Sequence, residues 1–484
     1  MGLAICRAAT LRGWRVALVE QEAHLCEWAS GSNSGIVCTG VDAEPGTLER
    51  ALIRDAISQM RPYLSEMNIP HRACGSLVCT WPWDEQDSSS LSRDQETPGT
   101  SDPLDHVLQQ STKAGDTQAS KLSKSQVLEW EPHLNPEIRG AVHIPGEIVV
   151  DPWLYSISLA VHARENGAQI FTNFPVDPAS IQWKGDSWTV SRRQSFAHSD
   201  QGACERASSS SPSSASTPSQ ISARCIANAT GLWSSDFQHC ALQAPVTWTA
   251  RPRRGQYRIY EPTTRNSPAA RTEAEDPSCS TSFSLSRPIQ PVPTPRTKGI
   301  FVFSTIYNHI VAGPTATDQE SKTDRTVDKT VAQQLDAHIQ RVLPHIHPQE
   351  SCVAEYVGIR PGTNRRDYQI IVGPDTRHPW ISVAGIRSTG LTASLGIGRH
   401  VCQLMETLQW TLRFSNASPS STTTTVTTND PKKICTTPLP PVQHLIADFQ
   451  TRGNGMVEIH GNLYKVTHPL TRIGWERSSN VRNV

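Results

Sequence analysis

The chain has 484 residues, of which 37% are hydrophobic, and it carries 45 basic and 45 acidic residues. Binding to a nucleic-acid backbone needs an excess or a stripe of basic residues, so this balance argues against nucleic acid as the main partner; nor does the sequence contain an apolar run of about eighteen residues that predicts a membrane span. The twelve cysteines include no CxxC pair, which favours free thiols in a reducing compartment over a zinc framework or a disulfide-dense small domain.

The first twenty residues, MGLAICRAATLRGWRVALVE, contain three arginines and no acid before Glu20, as some import signals do. Residues 1–11 are a run of helix-forming residues, Gly13 can end a helix, and WRVALVE is a short apolar strand. This order is typical of the second half of a dinucleotide-binding βαβ unit, with Gly2 as the last glycine of GxGxxG and Glu20 as the carboxylate that binds a ribose. We favour the βαβ interpretation because an import signal needs no acid at the end of a strand. It implies that the first strand of the unit lies before Met1, so we expect a chain that is cut at its start.

Four polar segments divide the chain, each rich in Ser, Thr, Pro or charged residues: 84–120, 193–220, 262–297 and 414–432. Segments of this composition cannot bury enough apolar surface to offset the entropy that is lost on ordering. We therefore expect surface insertions or linkers there, which are dispensable for the folded core.

The stretch ASGSNSGIVCTG places small residues in a tight loop directly after the first βαβ unit. Loops of this kind let backbone amides approach a phosphate group or a flat ring closely. An ordinary Gly/Ser loop has the same composition, and the stretch taken alone favours that interpretation. A helix opened by Pro45 and Gly46 is expected to follow.

Two further blocks predict elements of an α/β sheet. Asp151 and Pro152 open a helix that Gly167 ends, and AQIFTNFPV follows as a strand, so that the block forms an αβ crossover. ARCIANATGLW is a strand that runs into a glycine turn, which is a place where α/β sheets contact ligands.

The block from residue 354 to residue 405 carries the most specific pattern. WISVAG is a strand, IRSTG a turn, and LTASLGIGRHVCQLM a helix whose free N-terminal amides can hold an anion. Arg360 and Arg387 each follow a Gly-Ile pair, and we expect both to end apolar strands near this turn. A guanidinium fixed there suits a carboxylate or a phosphate; the alternative is that both are surface arginines in ion pairs.

One ordered set of motifs covers most of the chain outside the polar segments: GLAICRAATLRGWRVALVE, ASGSNSGIVCTG, GSLVC, VVDPW, NATGLW, RPRRGQY, GPTATD, GIRP and VAGIRSTGLTAS. The set resembles the FAD-dependent oxidoreductases of the D-amino acid oxidase-like superfamily, and within it the flavin-linked glycerol-3-phosphate dehydrogenases and L-2-hydroxyglutarate dehydrogenases. The resemblance implies FAD as cofactor and an α/β fold. The implied fold combines a GR2-type FAD-binding Rossmann-like domain, whose amino-terminal strand is missing, with an antiparallel-sheet substrate domain that covers the flavin.

The resemblance also implies a division of the chain into alternating segments. FAD-binding segments are expected at 1–70, at 146–240 with the insertion 193–220, and at 356–413. Substrate-domain segments are expected at 71–145 with the insertion 84–120, and at 241–355 with the insertion 262–297. A Ser/Thr-rich linker at 414–432 and a carboxy-terminal tail at 433–484 complete the chain.

Carried over residue by residue, the resemblance implies a cofactor site of fifteen positions that follow the FAD from end to end. Gly2 and Glu20 are expected at the pyrophosphate and the ribose, and the adenine contacts Val176 through its backbone. The positions expected along the pyrophosphate and the flavin are Ser30, Asn33, Ser34, Gly35, Ala229, Gly231, Gly385, Ile386, Arg387, Gly390, Leu391 and Thr392.

The implied reaction passes a hydride from an alcohol carbon to flavin N5 while a base takes the hydroxyl proton. Arg360 and Arg387 are the candidates for holding the anionic group of the substrate. The base is not identified: His309 and His71 are candidates. Cys38 stands where many relatives have a histidine, in a pattern like NSGxxHAG, and can act only if its pKa is lowered.

The sequence thus predicts an FAD-dependent oxidoreductase of a small anionic alcohol, with glycerol 3-phosphate ahead of 2-hydroxyglutarate. Oxidation of an amine or amino acid stays open, and a different class of protein, a degenerate non-catalytic scaffold or a truncated gene product, is the rival interpretation. The electron acceptor is a quinone, oxygen or an electron-transfer protein. We expect the protein in the cytoplasm or in mitochondria and not outside the cell.

Overall fold

The computed structural model of the chain describes residues 1–84, 102–116, 118–193, 218–264, 281–294, 298–415 and 434–478. Its helices are α1 (Gly2–Thr10), α2 (Leu48–Glu66), α3 (Pro103–Lys113), α4 (Lys124–Trp130), α5 (Pro152–Glu165), α6 (Ser234–Leu242), α7 (Lys329–Val342), α8 (Pro348–Ser351), α9 (Gly390–Ser415), α10 (Val442–Arg452) and α11 (Pro469–Glu476). None of these helices combines the length and the apolar character that a membrane crossing requires.

The strands are β1 (Ala17–Val19), β2 (Ile36–Val37), β3 (His71–Arg72), β4 (Ser76–Thr80), β5 (Ser120–Ser123), β6 (Gly140–Ile144), β7 (Ile148–Val150), β8 (Gln169–Phe171), β9 (Gln182–Lys184), β10 (Ser187–Ser191), β11 (Gln220–Ala223), β12 (Ile226–Asn228), β13 (Ala250–Tyr260), β14 (Thr263–Thr264), β15 (Thr281–Ser282), β16 (Ile289–Pro291), β17 (Phe301–Ser304), β18 (Ile310–Gly313), β19 (Thr317–Asp318), β20 (Cys352–Thr363), β21 (Gln369–Val372), β22 (Trp380–Ala384), β23 (Met456–Ile459) and β24 (Asn462–Lys465).

Short parallel strand pairs and three helices form the α/β part of the structure. β1 pairs with β8, and β12 pairs with β22, both in parallel. Helix α9 lies against α1 and α2. A Cβ atom at Gly398 would lie 2.7 Å from the main-chain oxygen of Ala4 in α1, and one at Gly396 would overlap the main-chain oxygen of Leu52 in α2. Only glycine lets α9 approach both helices so closely.

A mixed sheet forms the second part and, within the described residues, contains nine strands. Eight follow the spatial order β19, β13, β18, β17, β16, β4, β6 and β5, and β20 pairs antiparallel with β13. A smaller sheet of β2, β7 and β3 lies beside it, with β7 antiparallel to both neighbours. The chain therefore has the α/β character that the sequence predicts, and its large sheet is antiparallel as predicted except where β16 pairs with β4 in parallel.

Several predicted elements are confirmed, with shifted ends. Helix α1 falls inside the predicted residues 1–11, and α9 begins at Gly390, the last residue of the predicted turn and one residue before the predicted helix. The carboxylate of Asp151 accepts the N–H groups of Trp153 and Leu154 at 2.9 and 2.8 Å, so it caps α5 as expected. Helix α2 is capped instead by Thr47, two residues after Pro45. The strands predicted from WRVALVE and AQIFTNFPV are limited to three residues each, β1 and β8.

Two of the four polar segments are not simply insertions, and the prediction is wrong there. In 84–120, Asp102 caps α3, whose Leu104 and Val107 lie three residues apart and are buried against β4 and β6. In 262–297, β16 joins the large sheet, and Phe283 and Leu285 are buried in its core. The prediction failed because Ser, Pro and charged residues dominate the composition of both segments. The few apolar residues that are spaced for one helix face or one strand were therefore overlooked. Most of 193–220 and 414–432 lies outside the described residues.

Candidate active site

A cavity of about 1850 Å³ lies where the α/β part meets the large sheet. Residues of β1, β12 and β22 line it on one part of its surface, and residues of β13 and β20 line another. Common small-molecule pockets enclose roughly 300–1,000 Å³. The cavity therefore has room for a dinucleotide-sized ligand together with a smaller one.

One part of the lining consists of chain turns, and we call it the turn wall: residues 30–35, 229–231 and 385–392. In the first turn, the Asn33 side chain donates to the main-chain oxygen of Ser30 and accepts the N–H of Gly35, both at 2.8 Å. Gly35 has φ 69°, and a Cβ atom there would lie 2.8 Å from the main-chain oxygen of Val150. The loop is thus closed by its own asparagine and needs glycine at its end.

The second turn follows β12. The amide oxygen of Asn228 accepts the Thr230 hydroxyl at 2.7 Å, and Gly231 has φ 58°. Ala229 and Gly231 both line the cavity, as does Val176, whose backbone bridges to Arg192. The strand that the sequence predicts in ARCIANATGLW therefore ends in a turn at the cavity, as expected.

The third turn joins β22 to α9. Gly385 has φ 73°, and Gly385, Ile386, Arg387, Gly390 and Leu391 line the cavity. The hydroxyl of Thr392 lies behind the surface, where it accepts the N–H of Cys38 at 3.1 Å. This bond joins the start of α9 to the end of β2.

Helix α1 and strand β1 complete the cofactor candidates. Gly2 and Glu20 both line the cavity. The Glu20 carboxylate accepts the N–H of Glu22 at 3.0 Å, and burial raises its pKa above the usual range. The structure thus brings every predicted cofactor residue to the cavity wall except Gly35 and Thr392, which support that wall from behind.

Arg360 lines the cavity from a position that the sequence does not predict. It lies inside β20, three residues before the strand ends, and pairs with Arg253 of β13. Its guanidinium donates to the main-chain oxygens of Thr315 at 2.9 Å and Arg254 at 3.4 Å. A Cβ atom at Gly255 would lie 2.8 Å from this guanidinium, so the missing side chain of Gly255 makes the space that Arg360 fills.

Arg387 also does not end a strand, because β22 stops at Ala384. Its guanidinium lies 3.8 Å from the carboxylate of Glu49, which also accepts the Thr389 hydroxyl. The prediction that both arginines end strands is therefore wrong, yet both reach the same cavity. The alternative of two ion-paired surface arginines holds in part for Arg387 only.

The proton-acceptor candidates lie elsewhere or have the wrong pKa. His309 is buried between β17 and β18 and is absent from the cavity wall, and so is His71 in β3. Cys38 lines the cavity, but burial raises the pKa of its thiol to about 11. A thiol that is neutral near pH 7 cannot accept a proton. The prediction of a base among these residues is therefore wrong: His309 and His71 lie away from the cavity, and the pKa of Cys38 is too high.

Sequence reasoning missed several charged side chains of the wall, and three of them interact with one another: Asp42, Glu147 and Lys298. Together with Arg360 we call them the charged wall. Lys298 forms an ion pair with Asp42, and Glu147 is 4% exposed. Each stands in a different stretch of the chain, so no spacing pattern connects them. The one available signal was Glu147, a lone acid between the apolar runs of β6 and β7.

A protein-family model described as FAD dependent oxidoreductase matches residues 1–404. The chain belongs to this family. It is 24% identical over 410 residues to a glycerol 3-phosphate dehydrogenase of Caloramator mitchellensis, covering 84% of this chain and 72% of that protein. It is 25% identical over 407 residues to a glycerol 3-phosphate oxidase of Mycoplasma pneumoniae, covering 82% and 89%.

The fold is similar to solved structures of the same family. A structure of dithionite-reduced L-alpha-glycerophosphate oxidase from Mycoplasma pneumoniae with FAD bound matches with a TM-score of 0.64 at 24% identity, covering 84% of this chain and 93% of that one. The chain is thus an FAD-dependent oxidoreductase related to glycerol 3-phosphate dehydrogenases and oxidases.

The residues present fit FAD. The cavity has the volume for a dinucleotide, and a buried carboxylate, Glu20, lies at the end of β1 where a ribose hydroxyl needs an acceptor. The starts of α1 and α9 present main-chain amides near the wall, which suit phosphate oxygens. The glycine-rich turn wall lets a flat ring approach the backbone.

Proposed function

We propose that this oxidoreductase converts a small anionic secondary alcohol into the corresponding ketone, with glycerol 3-phosphate as the first candidate. The observation that carries the proposal is the guanidinium of Arg360 in the cavity wall. Two main-chain carbonyls fix it, and within the described residues no carboxylate forms an ion pair with it. A fixed and enclosed cation gains most from an anion, and a guanidinium can hold a phosphate or a carboxylate through two N–H groups.

Several other cations line the wall, and three of them have carboxylate partners, the first being Arg253, which pairs with Asp318. Lys298 pairs with Asp42, and Arg387 pairs with Glu49. Burial acts to lower the pKa of Lys298, but the charge and the hydrogen bond of Asp42 act against it and that pKa is raised, so the lysine stays protonated. Lys298 therefore adds positive potential at the cavity, while Arg360 is the main site for the substrate anion.

The chemistry divides between cofactor and chain. When bound, FAD supplies at flavin N5 the acceptor for the hydride that leaves the substrate carbon. Arg360 fixes the anionic end of the substrate and so orients its carbon and hydroxyl. The turn wall would hold the cofactor through main-chain amides, and Arg387, within that wall, would contact both substrate and cofactor.

The choice among substrates follows from chemistry and from the relatives. The names of the two matched enzymes, a glycerol 3-phosphate dehydrogenase and a glycerol 3-phosphate oxidase, support glycerol 3-phosphate. 2-Hydroxyglutarate is the second candidate, because it is also an anionic secondary alcohol and its carboxylate suits the same guanidinium. An amine or amino acid is the remaining alternative.

Anaerobic reduction of the bound flavin tests the proposal without any assumption about the electron acceptor. The FAD-loaded protein is mixed with glycerol 3-phosphate, 2-hydroxyglutarate, glycine or glycerol, and the loss of flavin absorbance is followed by stopped flow. We expect fast bleaching with glycerol 3-phosphate and much slower bleaching with glycerol, which lacks the anion. Bleaching by glycine alone, or equal rates with glycerol and glycerol 3-phosphate, would refute the proposal.

A further inference from the structure

The turn between β6 and β7 brings a buried carboxylate to the cavity. Glu147 is 4% exposed and lines the cavity wall. Its carboxylate accepts the side-chain N–H of Gln290 at 2.6 Å, and its main-chain oxygen accepts the N–H of Gly75 at 3.0 Å. The side chain is therefore held by Gln290 of β16, and the backbone is held by Gly75, which directly precedes β4. The carboxylate thus has a defined position.

The register of β2 and β7 places this carboxylate beside the turn wall. Ile36 pairs with Val149, and Val37 pairs with Ile148. One further step along this antiparallel ladder sets Cys38 opposite Glu147. The N–H of Cys38 is bound by Thr392 at the start of α9. Glu147 thus stands across one strand from the turn that carries Gly385 to Thr392, the proposed flavin contact.

The groups that face Glu147 leave it free to exchange a proton. They are Cys38, Asp42 and Lys298, with the neutral side chains of Ser76 and Gln290. Lys298 is paired with Asp42, and the Cys38 thiol is neutral near pH 7. Burial raises the pKa of Glu147 to about 7, against the hydrogen bond from Gln290 and the charge of Lys298. A group with such a pKa exchanges protons readily at neutral pH.

We propose that the carboxylate of Glu147 accepts the hydroxyl proton of the substrate during oxidation, an inference that rests on the proposed function. The substrate O–H bond breaks and its proton moves to Glu147. The C–H bond breaks, its hydrogen and both bonding electrons would pass as a hydride to the bound FAD, and the carbon–oxygen double bond of the ketone forms. A quinone, oxygen or an electron-transfer protein later takes the two electrons, and Glu147 returns the proton to solvent.

The test compares the parent with Glu147→Gln, which keeps the size of the side chain and a carbonyl oxygen for Gln290. The rate of anaerobic flavin reduction by glycerol 3-phosphate is measured from about pH 5 to about pH 9. In the parent we expect the rate to rise with pH and to level above pH 7, because the ionised carboxylate is the acceptor. In the variant we expect a rate lower by about 100-fold or more without this rise. FAD content and the apparent Kd for the substrate should stay near parental values.

A control and a second readout keep the outcomes distinct. Glu165→Gln removes a half-buried carboxylate that pairs with His460 outside the cavity, and it should leave the rate and its pH profile unchanged. Infrared titration of the resting protein should reveal a carboxyl group that titrates near pH 7 and that Glu147→Gln alone removes. Two outcomes would overturn the role of Glu147 only. One is a parent whose flavin is reduced by the substrate together with a Glu147→Gln variant whose flavin is reduced at the same rate. The other is the absence of a carboxyl group that titrates near pH 7. If no anionic alcohol reduces the flavin of the parent protein, the proposed function itself is overturned.

Discussion

The turn wall and the charged wall line the same cavity but are built in different ways. The turn wall consists of strand ends and a helix start, and its shape depends on main-chain contacts held by neighbours such as Asn33. The charged wall consists of four side chains from four separate stretches of the chain. A changed side chain in the turn wall can leave the backbone in place, whereas a changed side chain in the charged wall removes the functional group itself. We therefore expect larger effects from the charged wall.

The largest expected effect is on stability and concerns Glu147. Its pKa in the folded protein, about 7, lies above the value of 4.5 for a free glutamate. The folded state therefore favours the protonated carboxyl group, and this stabilisation is fully present below about pH 4.5 and lost as the pH rises through 7. The shift corresponds to a decrease in the free energy of unfolding on the order of 3 kcal/mol between low and high pH.

Glu147→Gln cannot ionise and should escape this loss. Chemical denaturation of both proteins between about pH 5 and about pH 8 should show the variant gaining stability over the parent as the pH rises. Parallel pH dependences of the two free energies of unfolding would mean that folding does not raise the pKa of Glu147. The contrast between the two walls would then rest on Arg360 alone.

The next largest effect concerns substrate binding. Arg360→Ala removes a charge-assisted contact to an enclosed anion, which costs about 2 kcal/mol or more, so the apparent Kd for the substrate should rise at least about tenfold. Arg360→Lys should restore only part of the affinity, because a point charge cannot replace the two-pronged guanidinium. Flavin content should not change in either variant. The measurement is the substrate dependence of anaerobic flavin reduction.

Arg399 offers a matched control for that experiment. It pairs with Asp55 at 2.9 Å on the outer face of α9 and is absent from the cavity wall. Exposed ion pairs contribute little, so Arg399→Ala should leave the apparent Kd unchanged. A tenfold rise in the control as well would point to a general effect of lost charge and would remove Arg360 from the substrate site.

The smallest predicted effect belongs to the turn wall. Thr392→Val leaves the N–H of Cys38 without its acceptor, which should lower the free energy of unfolding by about 1 kcal/mol. Thr392→Ser keeps the hydroxyl and should stay close to the parent. Urea denaturation of the three proteins checks the ranking. A valine variant as stable as the parent would show that this hydrogen bond does not stabilise the wall, because valine keeps the packing of a residue that is 1% exposed.

The same contrast explains how much the sequence could predict. The start of α9, the Asp151 cap of α5 and the turn after β12 follow from residues that are neighbours in the chain, since caps and glycine turns are local. Almost all candidates for the cofactor side therefore reached the cavity wall. That they bind FAD in the implied order stays a prediction.

Three of the four residues of the charged wall, Asp42, Glu147 and Lys298, escaped prediction, and Arg360 was predicted at a strand end instead of inside its strand, because long-range pairing creates this wall. Glu147 reaches the cavity through the β2–β7 register, and Arg360 through the pairing of β20 with β13. Neither register can be read from one strand, since a shift of a single residue would turn either side chain away. His309 failed for the same reason, because the sequence shows that it follows a polar turn but not that the turn lies apart from the cavity.

The glycine at position 255 has a consequence for how this pocket can change over generations. Gly255 and Gly358 face each other across β13 and β20, and the guanidinium of Arg360 fills the space above Gly255. A larger residue at 255 can be accommodated only with a shorter one at 360, so the two positions are expected to vary together among descendants. A switch to an uncharged substrate can therefore start at position 360, where a shorter side chain leaves Gly255 undisturbed, and a larger residue at 255 can only follow that first substitution.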